Sequence, residues 1–235
     1  MRADGRKVDE LRKPLRLKVG VLNEATGSAY LEWGGNRIIV GVFGPKDAPP
    51  HFTRPDRATL RVDYKMATFS SKEEHGRSAP SRRSIEISKV LRDALSRIVM
   101  LEKYPGSQID IHILVLQAEG GTRVASFYAA VAALIAAGIP MRTRGFGVSA
   151  GKVNDEVVLD LSKEEDNLGQ ADIPVCMDLE GNVLLFQLDG KVKPEELKKA
   201  FELIQGKKDF FDKMLREEFE KFYSGELDYD FRVKA

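Results

Sequence analysis

The stretch IDIHILVLQAEGGTRVASFYAAVAALIAAG, residues 109–138, decides the fold class. Its first part alternates at Ile109, Ile111 and Ile113 and then becomes apolar on both faces, which indicates a central β-strand. Two glycines end that strand. Residues 122–137 are rich in alanine and are followed by Gly138, which predicts a helix packed closely against a neighbouring element.

Shorter apolar patterns predict further strands and helices before and after this stretch. Strands are predicted at residues 15–21, 28–33, 37–43, 59–64, 145–153, 156–161, 173–178 and 183–188. Helices are predicted from Ser81 onward and at residues 194–205 and 209–223. The sequence therefore predicts one α+β domain over residues 1–235, with two related strand-then-helix halves in which mixed sheets pack with helices. Residues 206–235 are expected to form a C-terminal helix and tail.

Composition excludes several classes of protein. The chain has 235 residues, a net charge of +1 and a single cysteine, Cys176. One cysteine rules out an intrachain disulfide framework and a cysteine-built zinc site. No apolar run approaches the roughly 18 residues of a membrane span, and the N-terminus does not resemble a signal peptide. We therefore expect a cytoplasmic protein without a membrane partner.

The net charge hides two opposed regions. Residues 54–103 contain 12 basic and 7 acidic side chains, whereas residues 154–189 contain 10 acidic side chains and one basic one. This split suits a site that holds a polyanion beside a metal ion. Charge runs are more commonly solvated faces of the surface, so the motifs within each region must decide.

Arg82 and Arg83 stand where the helix after Ser81 begins. Two cations at a helix N-terminus oppose the macrodipole, and the arrangement is favourable if an anion such as phosphate lies there. The alternative is two exposed arginines that pair with Glu86 or solvent.

The segment Glu119-Gly120-Gly121-Thr122-Arg123 joins the central strand to its helix. Glycines allow close approach of a ligand, and the helix-start N–H groups, the Thr122 hydroxyl and the Arg123 guanidinium are all phosphate donors. The spacing is not that of a P-loop. The alternative is an ordinary glycine turn beside a surface arginine.

Asp166 and Asp172 flank an acidic loop that leads into a strand. Two carboxylates that converge there would bind Mg²⁺ or act as acid and base. The alternative is a solvated acidic loop. The three histidines are scattered and no nucleophile elbow is present, which leaves metal-assisted transfer between phosphates.

These motifs resemble those of the ribonuclease PH family, and within it the catalytic ring subunit of the archaeal RNA exosome. Further matching segments are RADGRK at residues 2–7, GSAY at 27–30, PDRA at 55–58, RRSIEIS at 82–88, AGIPM at 137–141 and EED at 164–166. They occur in order from about residue 2 to about residue 205.

The resemblance implies a phosphorolytic 3′-to-5′ exoribonuclease that releases nucleoside diphosphates and runs reversibly. It implies that Arg82 and Arg83 hold RNA, that Gly121, Thr122 and Arg123 bind inorganic phosphate, and that Asp166 and Asp172 serve the divalent ion, Mg²⁺ or Mn²⁺, and catalysis. His51, Phe52 and Arg54 are candidates for gripping single-stranded RNA.

The resemblance also implies an assembly. Three copies of the chain would alternate with three noncatalytic sister subunits in a six-membered ring, to which RNA-binding cap proteins attach. Two alternatives stay open. One is a homohexameric ribonuclease PH that trims transfer RNA, and the other is an inactive structural or RNA-binding ring subunit.

Overall fold

The computed structural model of the chain describes residue 2, residues 4–71 and residues 81–225. The first half contains a five-stranded sheet and two helices: β1 Leu15–Val19, β2 Gly27–Trp33, β3 Asn36–Asp47, β4 Thr59–Met66, α1 Arg82–Ile98, β5 Ser107–Gln117 and α2 Thr122–Ala136. Its strand order is β1-β2-β3-β5-β4, and only the β4–β5 pair is parallel. Strand β5 is thus interior in the strand order, as predicted, although its face with His112 and Leu114 is exposed.

The second half repeats this plan with a sheet and three helices. Its elements are β6 Gly145–Val153, β7 Glu156–Leu159, α3 Lys163–Leu168, β8 Ala171–Asp178, β9 Val183–Phe186, β10 Asp189–Gly190, α4 Pro194–Gln205 and α5 Lys208–Ser224. The strand order is β10-β8-β6-β7, with β9 also paired to β8. All of these pairs are antiparallel, so the first sheet is mixed and the second is not.

Helix α2 lies between the two sheets and joins the halves. It packs on β2 and β3 from one side and on β6 and β8 from the other. Every residue from Val124 to Leu134 is buried, which explains why its apolar and small side chains surround the helix rather than forming one stripe. The predicted close packing is confirmed, because a Cβ atom on Gly27 would collide with the backbone of Ala137. The N-terminus of α2 is therefore fixed in position relative to both sheets.

Helix α1 begins where the sequence predicted. Ser81 is its N-cap and accepts a 3.0 Å hydrogen bond from the backbone N–H of Ser84. The face formed by Ile87, Leu91 and Leu95 is buried. The first turn contains no acidic residue, and Arg82 and Arg83 are the first two residues of the helix.

Two local predictions were wrong. Strand β3 continues through Asp47, beyond residue 43 at which the strand was predicted to end, because its last residues still pair with β5. The acidic segment predicted as a loop contains helix α3, which a Ser162–Glu165 capping box begins. Residues 72–80, and residues 226–235 of the predicted C-terminal helix and tail, lie outside the described residues. No helix of the described residues combines the length and apolar character that a membrane crossing requires.

Candidate active site

The two aspartates of the acidic segment lie on different elements. Asp166 is on α3 and is exposed, whereas Asp172 is the second residue of β8 and is partly buried. Asp172 lies opposite Gly151 of β6 on one side and opposite Asp189 of β10 on the other. Strand pairing therefore fixes the position of Asp172, and the charge of Asp166 on the short helix acts on it.

The environment of Asp172 sets its protonation near neutral pH. Burial is the largest cause that raises the pKa of Asp172, and the charge of Asp166 raises it further, to about 7, against the lowering effect of Arg123. Although Asp166 is exposed as a residue, partial desolvation of its carboxyl raises its pKa, with the charges of Arg83 and Arg123 opposing. A carboxylate with a pKa near 7 is suited to exchange a proton or to accept a cation.

The glycine turn before α2 touches the acidic segment. Gly120 and Gly121 have φ values of +78° and +64°, a region that residues with a side chain rarely adopt. A Cβ atom on Gly120 would lie 2.9 Å from the backbone nitrogen of Lys163, at the start of α3. The glycine turn, which is predicted to bind phosphate, thus lies directly beside the acidic segment.

Thr122, the first residue of α2, is oriented by a residue that the sequence did not single out. The hydroxyl of Tyr64 donates a 3.0 Å hydrogen bond to Thr122 Oγ1. Burial raises the pKa of Tyr64 even though Thr122, Arg83 and Arg123 oppose the shift, so the phenol keeps its proton. Because Thr122 Oγ1 accepts from Tyr64, its own proton is available for an anion at the helix N-terminus.

Arg123 connects the glycine turn with the first motif. One of its terminal nitrogens lies 3.5 Å from Glu86 on α1, and Glu86 also accepts a 2.8 Å hydrogen bond from Gln187. The Nε atom of Arg123 is buried without a hydrogen-bond partner among the described residues. Glu86 therefore pairs with Arg123. The described residues show no pair between Glu86 and either Arg82 or Arg83.

Of the remaining sequence candidates, Arg83 is linked to this site by its charge, whereas the described residues show no hydrogen bond or ion pair between either aspartate and Arg82, His51 or Arg54. Arg82 and Arg83 are exposed, and the charge of Arg83 acts on Asp166. His51 and Arg54 lie in the exposed segment before β4, where the described residues show no contact between them and either aspartate. Phe52 is half exposed, and the guanidinium of Arg61 lies 5.6 Å from its ring.

A cluster of buried charges supports the acidic segment, and sequence reasoning missed it. Arg2 makes two hydrogen bonds of 2.7 and 2.8 Å to Glu165, the residue before Asp166. Arg12 donates to Asp160 at 2.7 and 3.0 Å. Trp33 donates its indole N–H to the same carboxylate at 2.8 Å. Arg2 and Arg12 thus bind the N-terminal segment to Glu165 within α3 and to Asp160 just before it.

We predict that Arg2→Met destabilises the fold. The side chains of Arg2 and Glu165 are each only 3% exposed, and removing one partner of a buried pair costs about 3–5 kcal/mol. Thermal unfolding at pH 7 should shift down by roughly 10 °C. As a matched control, Arg16→Met removes an exposed 3.8 Å pair with Glu32 and should change little.

The pH dependence of the stability difference between Arg2→Met and wild type identifies its cause. Burial of Glu165 would raise its pKa, but hydrogen bonds from Arg2 and Ser162 and the charge of Arg2 lower it overall. The stabilisation is thus present at neutral pH and is lost as pH falls through the lowered folded-state pKa. An equal difference between Arg2→Met and wild type at pH 7 and pH 3 would contradict this assignment.

The donor set of the aspartates fits a hard divalent cation that is shared with a ligand. The described residues contain no group of three His, Cys, Asp or Glu side chains that would enclose a metal ion. Mg²⁺ commonly binds through one or two carboxylates and completes its shell with water and substrate phosphate. The mutual repulsion that raises the pKa of Asp172 is what a cation between Asp166 and Asp172 would relieve.

Comparison with known proteins identifies the family. Residues 11–140 match domain 1 of the 3′ exoribonuclease family, ribonuclease PH, and residues 146–204 match domain 2. The chain belongs to the ribonuclease PH family. The two matched parts correspond to the two halves of the fold, and Arg2 lies outside both.

Relatives and solved structures agree with this assignment. The exosome component Rrp41 of Pyrococcus furiosus is 54% identical over 215 residues, covering 90% of this chain and 85% of its own. That of Thermoplasma acidophilum is 52% identical over 206 residues, covering 87% and 82%. A structure of the Archaeoglobus fulgidus exosome with RNA bound to the active site is 26% identical, with a TM-score of 0.76 and coverage of 94% and 92%.

Rice Rrp46 shows the same fold at 23% identity, with a TM-score of 0.84 and coverage of 94% of this chain and 100% of its own. The predicted family, the fold class and the enzyme class, a phosphorolytic 3′-to-5′ exoribonuclease of the exosome type, are therefore confirmed. The roles of individual residues in this ribonuclease PH chain stay predictions.

Proposed function

We propose that this chain degrades single-stranded RNA at the junction of the glycine turn and the acidic segment, with inorganic phosphate as the attacking group. The observation that carries the proposal is the contact between Gly120 and the start of α3. The charge of Arg123 also acts on both Asp166 and Asp172, which supports an anion site beside the two carboxylates. An anion site next to a cation site is what transfer between phosphates requires.

Each group then has one task. Thr122, Arg123 and the N–H groups that begin α2 hold inorganic phosphate, and Arg82 and Arg83 hold the phosphates of the RNA. A phosphate oxygen forms a bond to the phosphorus of the terminal linkage, and the bond to the 3′ oxygen of the preceding nucleotide breaks. The products are a nucleoside diphosphate and RNA shorter by one residue, whose 3′ oxygen takes up the proton. Asp172 accepts or returns a proton of phosphate, or binds the cation.

Asp166 and Asp172 would hold the divalent ion, Mg²⁺ or Mn²⁺. When bound, this ion supplies positive charge that offsets the negative charge of the phosphates. Asp172 is held by strand pairing and Asp166 by the capping box of α3, so the protein contributes mainly position. With such an ion bound, the charges of Asp166 and Asp172 would no longer oppose each other's ionisation.

We further propose that residues 1–235 act as one domain in a cytoplasmic ring. Three copies would alternate with three noncatalytic sister subunits, and RNA-binding cap proteins would occupy one face. In such a ring the exposed side chains of His51 and Arg54 would meet RNA before it reaches the site. Relatives at 52–54% identity are themselves exosome components, which supports this assembly over a homohexamer.

The test is to incubate the chain, alone and with its sister subunit, with single-stranded RNA, Mg²⁺ and phosphate. We expect nucleoside diphosphate release only when the sister subunit is present. Release by the chain alone would favour the homohexameric alternative. Absence of phosphate-dependent release in both mixtures would favour the inactive ring subunit and would contradict the proposal.

The arginine pair gives a separate prediction on RNA binding. Arg82→Ala combined with Arg83→Ala should weaken RNA binding and flatten its salt dependence, because two phosphate contacts disappear. For single-stranded nucleic acid, the slope of log K against log [salt] should become shallower by about 1.4. Filter binding over a range of salt concentrations measures this slope.

The matched control is the pair Arg92→Ala and Arg97→Ala on the same helix. It removes the same charge, but Arg92 pairs with Asp93 and Arg97 donates to the carbonyl oxygen of Val183. We expect the control slope to stay close to the wild-type slope. Equal flattening in both double variants would show that the effect is general charge and not the arginine pair.

A further inference from the structure

Two side chains that are not among the proposed catalytic groups form hydrogen bonds to the backbone of the glycine turn. Asn36, which is fully buried, donates from Nδ2 to the carbonyl oxygen of Gly120 at 2.7 Å. Its Oδ1 atom accepts from the backbone N–H of Glu119 at 2.6 Å. One amide thus fixes a donor and an acceptor of the turn at the same time.

Arg12 holds the same turn and also reaches the other half of the fold. Its guanidinium donates to the carbonyl oxygens of Glu119 and Gly120, the latter at 3.2 Å. The same group donates twice to Asp160. Residues 12, 36 and 119–120 belong to the first matched family domain, and Asp160 belongs to the second. Arg12 therefore sets the spacing between the glycine turn and the acidic segment.

This arrangement determines which backbone groups face a ligand. The carbonyl oxygens of Glu119 and Gly120 are occupied by Arg12 and Asn36, so they do not face an anion. The first N–H groups of α2 have no partner within the helix, and they remain as the donors on the ligand side. Rotation of the Gly120 carbonyl toward the ligand would instead repel phosphate, and both glycines permit such rotation because they tolerate both signs of φ.

We infer that Arg12 and Asn36 are positioning residues that give the glycine turn its affinity for inorganic phosphate. The inference rests on the proposed function and adds to it the groups that keep the site organised. Neither side chain needs to touch phosphate, because each acts through the carbonyl oxygens that it binds. Their loss should therefore weaken phosphate binding and leave RNA binding, which the arginine pair provides, unchanged.

Two near-isosteric variants test this inference. Asn36→Asp keeps the acceptor for Glu119 but replaces the donor to Gly120 with an oxygen that repels it. Arg12→Lys keeps the charge beside Asp160 but lacks the fork that reaches two carbonyl oxygens as well. Arg16→Lys is the control, because Arg16 is exposed and four residues away. Inorganic phosphate is titrated calorimetrically into each full chain, and KM for phosphate and for RNA is measured in the assembly in which wild type is active.

We expect the dissociation constant for phosphate to rise about tenfold in both variants and to stay unchanged in the control. KM for phosphate should rise in parallel, while KM for RNA should stay within twofold. Far-ultraviolet circular dichroism at the assay temperature establishes that each variant is folded, and Asn36→Asp carries the test if Arg12→Lys does not fold.

Phosphate affinity within twofold of wild type in a folded variant would overturn the inference. So would a parallel rise of KM for RNA, which indicates general loosening of the site. Absence of calorimetric phosphate binding by wild type would also overturn it. Phosphate binding by wild type without any release of nucleoside diphosphate would contradict the proposed function alone, and the variants would still test the inference through calorimetry.

Discussion

Replacing Asp172 by asparagine should reduce phosphate-dependent RNA degradation by about a thousandfold or more in kcat. Asparagine has nearly the same shape, and strand β8 is paired on both sides at this position, so the local fold should persist. What is lost is the charge that accepts a proton or a cation, and removal of an acid–base group alone costs roughly 10²–10⁴ in rate. Diphosphate release under saturating RNA and phosphate measures the loss.

The same substitution should stabilise the chain at high pH. The folded-state pKa of Asp172 is raised to about 7, chiefly by burial and then by the charge of Asp166. The folded chain holds this proton more tightly than the unfolded chain, so stability falls as pH rises from about 4 to about 7. With a chelator present, Asp172→Asn should unfold a few degrees above wild type at pH 8 and at the same temperature as wild type below pH 4.

Asp178→Asn is the matched control on the same strand. Asp178 accepts hydrogen bonds from Glu180 and Asn182 in the turn after β8, away from the proposed site, so this change should retain activity and lower stability. Activity of Asp172→Asn within tenfold of wild type would contradict the role of Asp172. If Asp172→Asn unfolds at a lower temperature than wild type at pH 8, this would contradict the prediction that ionisation of Asp172 destabilises the folded chain.

Replacing Arg123 by methionine should raise KM for phosphate by roughly 10- to 100-fold, because a hydrogen bond to a charged group contributes about 1.5–3 kcal/mol. The Nε atom of Arg123 is buried, and one of its terminal nitrogens lies 3.5 Å from Glu86. Arg123 also lowers the pKa of Asp172. In Arg123→Met the acid limb of kcat/KM should therefore move to higher pH.

Arg123→Lys should recover part of the phosphate affinity, since it restores the charge but not the fork. Arg216→Met on α5 is the control, because Arg216 makes an exposed pair with Asp212 far along the chain from the site. An unchanged KM for phosphate in Arg123→Met would contradict the phosphate-binding role. A change of KM for RNA alone would assign Arg123 to the RNA instead.

The parts of the fold that follow local rules were predictable. The strand and helix on either side of Gly120 and Gly121 were recognised from periodicity, and α4 at Pro194–Gln205 was predicted with its correct ends. Helix α3 was missed although its signal was present. Ser162 and Glu165 have the spacing of a capping box, but the run of acidic residues was interpreted as a loop.

The support of the site was not predictable from local pattern. Arg12 lies 107 and 148 residues from two of its partners, Glu119 and Asp160, and Asn36 lies 84 residues from Gly120. Such contacts depend on how the sheets pack around α2, which periodicity does not encode. The roles assigned to Arg83, Thr122, Arg123 and the aspartates came from contiguous motifs, and they stay predictions. Only the structure reveals that the charges of Arg83 and Arg123 act on Asp166.

The most direct test of the account follows the fate of inorganic phosphate. The assembled wild-type protein is incubated with RNA, Mg²⁺ and radiolabelled phosphate, and the nucleotides released are separated. We expect the label in the β-phosphate of nucleoside diphosphates, in an amount equal to the nucleotides removed, and none with Asp172→Asn. Release of unlabelled nucleoside monophosphates, independent of added phosphate, would show hydrolysis and would contradict phosphate as the attacking group.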